Sequence, residues 1–362
     1  MMTPLIENFI SKLALNLTSL STSEQKYTLD FYRDFLLDGD FQAKEEIVKE
    51  LGTPDDLAKE IKQDYVKFLT AVTASANDPH ASDNYFNGLR VKRYPRRKRT
   101  ITPENFNQVK LAVKTTDVII HQGSQFQITI ADYSSRPIET NLVKQTLVVK
   151  ETPVEQKNSV IMFNRLTAVS RVEITVPKLD SLTKISGQSH NGDIMLQNLK
   201  LKNIVLNLHN GDIYINNVRV SDEFIFAGQN ADCFVTQSKI AQLSSKVQNG
   251  DGSFKRSILK QIITQTDDGD IEINQCHANI SLQAQDGDVL IRKSQLTDQN
   301  IVKSTNGDLK LGQLAHDISV QLKVNDGDII YRNSSIGNSF NSQSMQSDSL
   351  IATLRDGDII IK

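Results

Sequence analysis

Residues 189–196 read SHNGDIML and residues 208–215 read LHNGDIYI. The phrase returns as TDDGDIEI at 266–273, AQDGDVLI at 284–291, STNGDLKL at 304–311, VNDGDIIY at 324–331 and LRDGDIII at 354–361. Anchored on the aspartate after the glycine, the series runs Asp193, Asp212, Asp232, Asp251, Asp270, Asp288, Asp308, Asp328 and Asp358. The anchors are evenly spaced except for one wider gap before Asp358. A sustained period of about 20 residues is the mark of a solenoid. One residue and three residues past the anchors stand apolar side chains, such as Ile194 and Leu196, Ile213 and Ile215, or Val289 and Ile291, with Gly252 the exception. Residues two apart on a strand share a face. A second apolar set, for example Ile204, Leu206 and Leu208, or Ile280, Leu282 and Ala284, fills the back half of each coil. Neither face can be buried by one coil alone, so stacking must supply the missing surface. The expected fold is mainly β: a C-terminal single-stranded parallel β-solenoid of about 19–20 residues per coil, with nine coils giving a rod of roughly 40 Å.

The corner before each anchor explains the spelling. Asn or Asp, then Gly, is what a turn with positive φ demands. The glycines are Gly192, Gly211, Gly250, Gly269, Gly287, Gly307, Gly327 and Gly357, with Ala231 the exception. We read Gly192/Asp193, Gly211/Asp212, Gly250/Asp251, Gly269/Asp270, Gly287/Asp288, Gly307/Asp308, Gly327/Asp328 and Gly357/Asp358 as structural turns, each aspartate bonding its own corner's amides. The rival reading is a cation ladder. Carboxylates stacked about 5 Å apart repel by about 0.8 kcal/mol in water, and a bound ion would relieve that. The pairs Asp268/Asp270, Asp286/Asp288, Asp326/Asp328 and Asp356/Asp358 suit it best. The reading adopted assigns no metal and no cofactor. His190 and His209 share one phase of adjacent coils and should stack within a polar stripe.

Upstream the language differs. Residues 1–73 read as an all-α unit with 13 Asp/Glu against 8 Lys/Arg over residues 1–70. Ser21 with Glu24 has capping-box spacing, and Leu29, Tyr32, Phe35 and Leu36 share a helical face. Gly52 ends one helix; Thr53 and Pro54 begin the next. Residues 74–104 read as a flexible linker closing on RVKRYPRRKR, in which Arg90, Lys92, Arg93, Arg96, Arg97, Lys98 and Arg99 form the one concentrated positive field. The field suits a plain linker, an anionic surface or the acidic helical unit. With Tyr94 as its one aromatic, it does not point to specific nucleic-acid binding. Residues 105–362 make the β domain.

Composition excludes several classes. Net charge is −2, there is no Trp, and Cys233 and Cys276 are the only cysteines. That rules out a disulfide framework or a Cys-rich zinc centre. No stretch approaches the ~18 apolar residues of a membrane span, and the N-terminus lacks the positive start of a signal peptide. These features imply a cytoplasmic protein with peripheral membrane contact; non-classical export to the cell surface is the alternative. No nucleophile elbow, HExxH or phosphate loop is present, so the chain reads as a non-enzyme.

The stretch STSEQKYTLDFYRDFLLDGDFQAKEEIVKELGTPDDLAKEI resembles the bacterial HAAS signalling domain, on Phe31, Tyr32, Asp34, Leu51, Gly52, Pro54, Leu57, Ala58 and Ile61. The β domain resembles the "putative adhesin" β-strand-repeat family through its repeated Gly-Asp-Ile/Val. The resemblance implies a bacterial protein of regulatory or Gram-positive envelope-stress systems that binds a protein partner through residues 1–73. Such a chain would act as a scaffold or sensor. A surface-exposed adhesin or envelope binder is the second reading, and a solenoid carbohydrate-active enzyme the third.

Overall fold

The structure is a computed structural model. It describes residues 4–18, 25, 28–29, 32–33, 36, 43–59, 61–62, 97–132, 137–152, 170–177, 182–314, 318–345 and 347–362. The capping-box pair Ser21/Glu24 and most of the expected linker lie outside these.

In the helical unit, α1 (Pro4–Asn16) buries Ile6, Phe9, Ile10 and Leu13. α2 (Lys44–Leu51) ends at Gly52, whose φ of 76° permits the C-cap that the sequence implied. Thr53 Oγ1 then accepts the Asp56 amide at 3.2 Å, the N-cap bond of the helical residues 54–59. Tyr32 and Leu36 are buried and Leu29 packs against the same core.

The β domain is a parallel solenoid stacked in register. The strand Ile194–Asn210 pairs along its length with Ile213–Asn230, anchor segment on anchor segment. The coils from Asp193 to Asp288 each bury three faces, one more than the repeat suggested. In the coil of Asp212 the first face presents Ile213 and Ile215, the second Val218 and Val220, the third Phe224 and Phe226, all buried. Between the first and second faces the chain turns through a non-glycine residue at positive φ. This is Asn198, Asn217, Gln237, Arg256, Gln275, Lys293, Gln313 or Asn333, with φ from 44° to 63°, always five residues past the anchor. That conformation costs roughly 1 kcal/mol for most residues and least for Asn, which accounts for the amide-rich column. Volume is conserved across rungs. Gly252 stands where other coils place an aliphatic residue, and the neighbouring Phe254 ring fills the space, 3.2 Å from where a Cβ would lie.

The two ends depart from chain order. At the N-terminal end, β2 (Gln108–Ala112) and β3 (Thr116–Gln122) form a coil with anchor Asp117. They stack on β8 (Lys184–Ser189) and on the start of β9 (Ile194–Asn210). Outside that coil sit β6 (Thr146–Glu151) and β7 (Ser170–Val176). Antiparallel β4 (Gln127–Asp132) and β5 (Ile138–Val143) cap these. At the C-terminal end, the coil of Asp328 does not stack on the coil of Asp308. The last coil of the chain, strands Ser349–Asp356 and Ile359–Ile361, lies between them and pairs in parallel with both. The antiparallel strand Ser339–Ser342 closes that end. Both ends thus share one topology. The terminal coil is sandwiched inward, and an antiparallel strand shields the outermost parallel edge. The rod has ten anchored coils rather than nine in chain order, and with its caps it spans about 60 Å.

The domain boundary also moves. β1 (Arg97–Ile101) pairs antiparallel with β4, Ile101 opposite Ile128. The β domain therefore begins at Arg97, not 105, because β1 hydrogen-bonds an edge strand even though its side chains are basic.

Candidate functional site

The repeated aspartates form one continuous ladder. Each anchor's Oδ1 accepts the backbone amide of the anchor in the next rung, so the bond runs between coils and not, as expected, within one corner. In spatial order the acceptors are Asp117, Asp193, Asp212, Asp232, Asp251, Asp270, Asp288, Asp308 and Asp358, and the last donor is Asp328, at 2.7–3.0 Å. Asp117 begins the series without a glycine before it, because its corner is Thr115–Thr116. There the buried Glu151 carboxylate accepts the Lys114 and Thr115 amides at 2.7 and 2.8 Å. A parallel amide ladder runs beside the aspartates: Asn210, Asn230 and Asn249 each donate to the asparagine before, at 2.7–2.8 Å. A net gain near 1 kcal/mol per bond is of the same size as the repulsion between neighbouring carboxylates. The ladder therefore sets register more than it adds stability.

The glycines answer to close approach. A Cβ on Gly269 would lie 2.1 Å from the Gly250 carbonyl oxygen, and one on Gly287 2.2 Å from that of Gly269. Gly307 and Gly357 repeat the contact, as do Gly192 and Gly211 against Thr116 and Gly192.

Charge along the ladder is settled locally. Arg171 occupies the anchor column of the outer coil, opposite Asp117, with its guanidinium 4.0 Å from that carboxylate. Burial and the Asp193 charge nevertheless push the Asp117 carboxyl up to about 6. Burial also raises Asp193 and Asp232. Asp288 is held low, burial being outweighed by Lys310, whose ammonium lies 2.5 Å away. Tyr214 donates to Asp212 Oδ2 at 3.0 Å. Among the described residues no group of three or more His, Cys, Asp or Glu is placed to hold a metal ion. His190 and His209 stack with centroids 4.3 Å apart, as their shared phase implied.

A third column uses hydroxyls. Ser238, Ser257 and Ser294 are buried, and their Oγ atoms accept the amides of Val218, Ser238 and Cys276 at 3.1 Å. Cys276 takes the same place in its coil. Its thiol donates to the Phe254 carbonyl, accepts the Ser257 amide and is pushed up by burial to about 12. It behaves as one more rung of a serine column.

The second face carries the feature that sequence reasoning missed. Its outward column reads Lys200, Arg219, Lys239, Ile258, His277, Gln295 in register. Ile258 breaks a polar and basic stripe. It is 2% exposed and belongs to the apolar core of the helical unit, with Ile6, Phe9, Leu13, Tyr32 and Leu57. Beside it Arg256 is only 4% exposed. Among the described residues, Ile258 is thus the apolar residue through which the acidic helical unit meets a basic flank of the rod. The signal was present as an isoleucine in a Lys/Arg column, but that column is visible only once the second face is assigned.

The basic run is divided. Arg90, Lys92, Arg93 and Arg96 lie outside the described residues. Arg97, Lys98 and Arg99 belong to β1; Lys98 and Arg99 are exposed, and the Arg99 guanidinium donates to the Ile138 carbonyl. No described helix is long and apolar enough to cross a membrane.

The chain belongs to the Toastrack DUF4097 family, whose model matches residues 106–361. Residues 8–60 match the HAAS family. Among solved structures, a "putative adhesin" of Bacteroides fragilis is 16% identical and covers 73% of this chain and 96% of its own, with a TM-score of 0.38. A "putative adhesin" of Parabacteroides merdae is 13% identical over 72% and 95%, with a TM-score of 0.42. A "putative lipid binding protein" of Parabacteroides distasonis is 12% identical over 74% and 96%, again at 0.42. No curated protein matches the chain.

Proposed function

We propose that this Toastrack chain is a non-enzymatic bacterial scaffold or sensor, linked to cell-envelope stress or its regulation. Its HAAS domain carries the protein-partner contact and its solenoid is the surface on which that domain is held. The observation that supports this most is Ile258. An apolar residue in an otherwise polar and basic outward column serves no purpose in the rod's own core, yet it completes the core of the helical unit. A partner that covers the same helical face would compete with Ile258 for it. The basic segment preceding β1 adds reversible contact with an anionic membrane at about 1 kcal/mol per residue near the surface.

The test is Ile258→Lys in the full chain. Hydrogen exchange in residues 4–16 and 44–59 should rise, and chemical capture of a protein through the helical unit in native cells should increase, while exchange in the rod stays unchanged. Unaltered exchange in the helices and unaltered capture would remove the reading. Separately, the full chain should co-sediment with anionic vesicles at low salt and lose them as screening shortens; indifference to such vesicles would remove the membrane contact alone.

A further inference from the structure

We propose that the rung occupied by residues 349–361 is an exchangeable site that accepts the terminal coil of a second copy of this chain. It would thereby form reciprocal strand-swapped dimers. Three observations carry this.

First, the slot need not be filled from within. Asp328 follows Asp308 at the same spacing at which Asp308 follows Asp288, and the coils of Asp288 and Asp308 stack directly. Yet the Asp308 carboxylate takes the Asp358 amide at 3.0 Å, and Asp358 takes that of Asp328 at 2.9 Å. Removing the inserted coil leaves two coils whose spacing and inward residues, Leu309 and Ile329, match those of any neighbouring pair. Two arrangements of the same chain therefore satisfy the ladder, one with the insert and one without.

Second, the slot recognises its insert through specific polar contacts as well as the general ladder. Asn300 is fully buried; its Oδ1 accepts the Ile280 amide, and its Nδ2 donates to the Thr297, Asp298 and Ser349 carbonyls at 3.0–3.1 Å. The Asp298 amide donates to Asp348 Oδ1 at 2.8 Å, and the Ser349 amide to the Asp298 carbonyl at 2.9 Å. Arg355 reaches down to Asn306 at 3.1 Å. None of these contacts requires that the insert and the slot belong to one chain.

Third, described residues of the segment leading into the coil are exposed, and the segment is long enough to reach either slot. Gln343 and Met345 are exposed. Six residues separate Ser342 from Ser349, and a span of that length reaches about 20 Å when extended. Ser342 stands in the capping strand. From there, a second rod met cap to cap presents its slot about three rung spacings, or ~15 Å, away. A linker whose length suffices for either its own slot or a neighbour's is the ordinary hinge of a domain swap.

The test uses two full-length variants, Lys303→Cys and Thr353→Cys. These exposed positions face each other across the slot wall in register, and both native cysteines are buried. The two chains are unfolded together, refolded at high concentration and oxidised; a control mixture is oxidised without unfolding. A disulfide between the two chains after joint refolding, absent from the control, is the expected result. Wild-type protein should show a dimer fraction that rises with the concentration at refolding, because exchange is bimolecular. Monomer alone from the wild type at every refolding concentration would overturn the proposal. So would a mixed pair that stays reduced while a single chain carrying both cysteines closes internally.

Discussion

The middle of the rod and its two ends are built from the same coil but obey different rules. Between Asp193 and Asp308 every rung follows its predecessor in the chain, and every anchor amide bonds the carboxylate of the anchor just before it in sequence. At the ends the bonded aspartates are far apart in the chain: Asp117 with Asp193, Asp308 with Asp358, and Asp358 with Asp328. The middle is a local repeat in which the energy of each coil depends on its neighbours. The ends are long-range closures that hide the edges such a repeat would otherwise expose. The difference teaches that the repeat unit specifies a rung, whereas the order of rungs is set by how the terminal edges are protected.

The contrast is sharpest at glycine. Gly269→Val in the middle drives a Cβ into the Gly250 carbonyl at 2.1 Å from a φ of 143°. A loss above about 4 kcal/mol, or failure to fold, is expected. Gly337 in the C-terminal cap has φ 94° and nothing within 4 Å of an added Cβ. Gly337→Val should cost only the backbone term, about 1–2 kcal/mol. Urea unfolding of the two variants checks this; equal losses would mean that the middle and the cap are not packed by different rules.

Charge gives the next effect. A carboxyl raised in the folded state contributes stability that is complete below its unfolded pKa and lost as pH climbs through the folded value. Asp117, held at about 6, therefore weakens the N-terminal end between roughly pH 4 and 6. Asparagine keeps the acceptor for the Asp193 amide without titrating. Asp117→Asn should match the parent near pH 4 and exceed it at pH 7 by on the order of 2–3 kcal/mol. Thermal unfolding across pH would show this, and a variant weaker at pH 7 would contradict it.

Smaller effects belong to the middle. Cys276→Ser restores the column's usual residue and should change stability by less than about 1 kcal/mol, while Cys276→Val orphans the Ser257 amide and should cost about 1–3 kcal/mol. Smallest is chelation. Every acceptor rung from Asp117 to Asp358 already spends Oδ1 on an amide, so EDTA should leave the unfolding temperature where it is. A marked fall would return the cation ladder to consideration.

Much of this was legible in the sequence, and the limits have physical causes. Asn/Asp-Gly-Asp placed the corners, though positive φ holds only from Gly250 onward; what the corner glycines share, Gly192 and Gly211 included, is a neighbouring rung's backbone within 2.6 Å of where a Cβ would lie. Period-two apolar positions placed two of the three inward faces. The face of Leu199, Val218 and Ile240 escaped notice because it holds only one or two inward residues per coil and abuts a turn made by Asn, Gln, Arg or Lys. Asp117 went unseen because Thr116 stands where the motif has glycine. Ile258 escaped because its neighbours in space, Lys239 and His277, lie a full coil away along the chain in either direction. The wide gap before Asp358 was visible as an irregularity, but nothing local says that the coil after it turns back beneath the coil before it.

That insertion is the most direct point of test. Chain order would seat Lys323 beside Lys303, whereas the structure places Thr353 between them, paired with each. Adjacent rungs lie about 4.8 Å apart and alternate rungs about 9.6 Å, and a disulfide cannot bridge Cα atoms beyond about 7 Å. At low concentration under mild oxidation, the double variant Lys303→Cys/Thr353→Cys should close within one chain, and Lys303→Cys/Lys323→Cys should stay reduced. Rapid closure of the second pair with no closure of the first would mean that the coils stack in chain order, and that the inserted terminal rung does not exist.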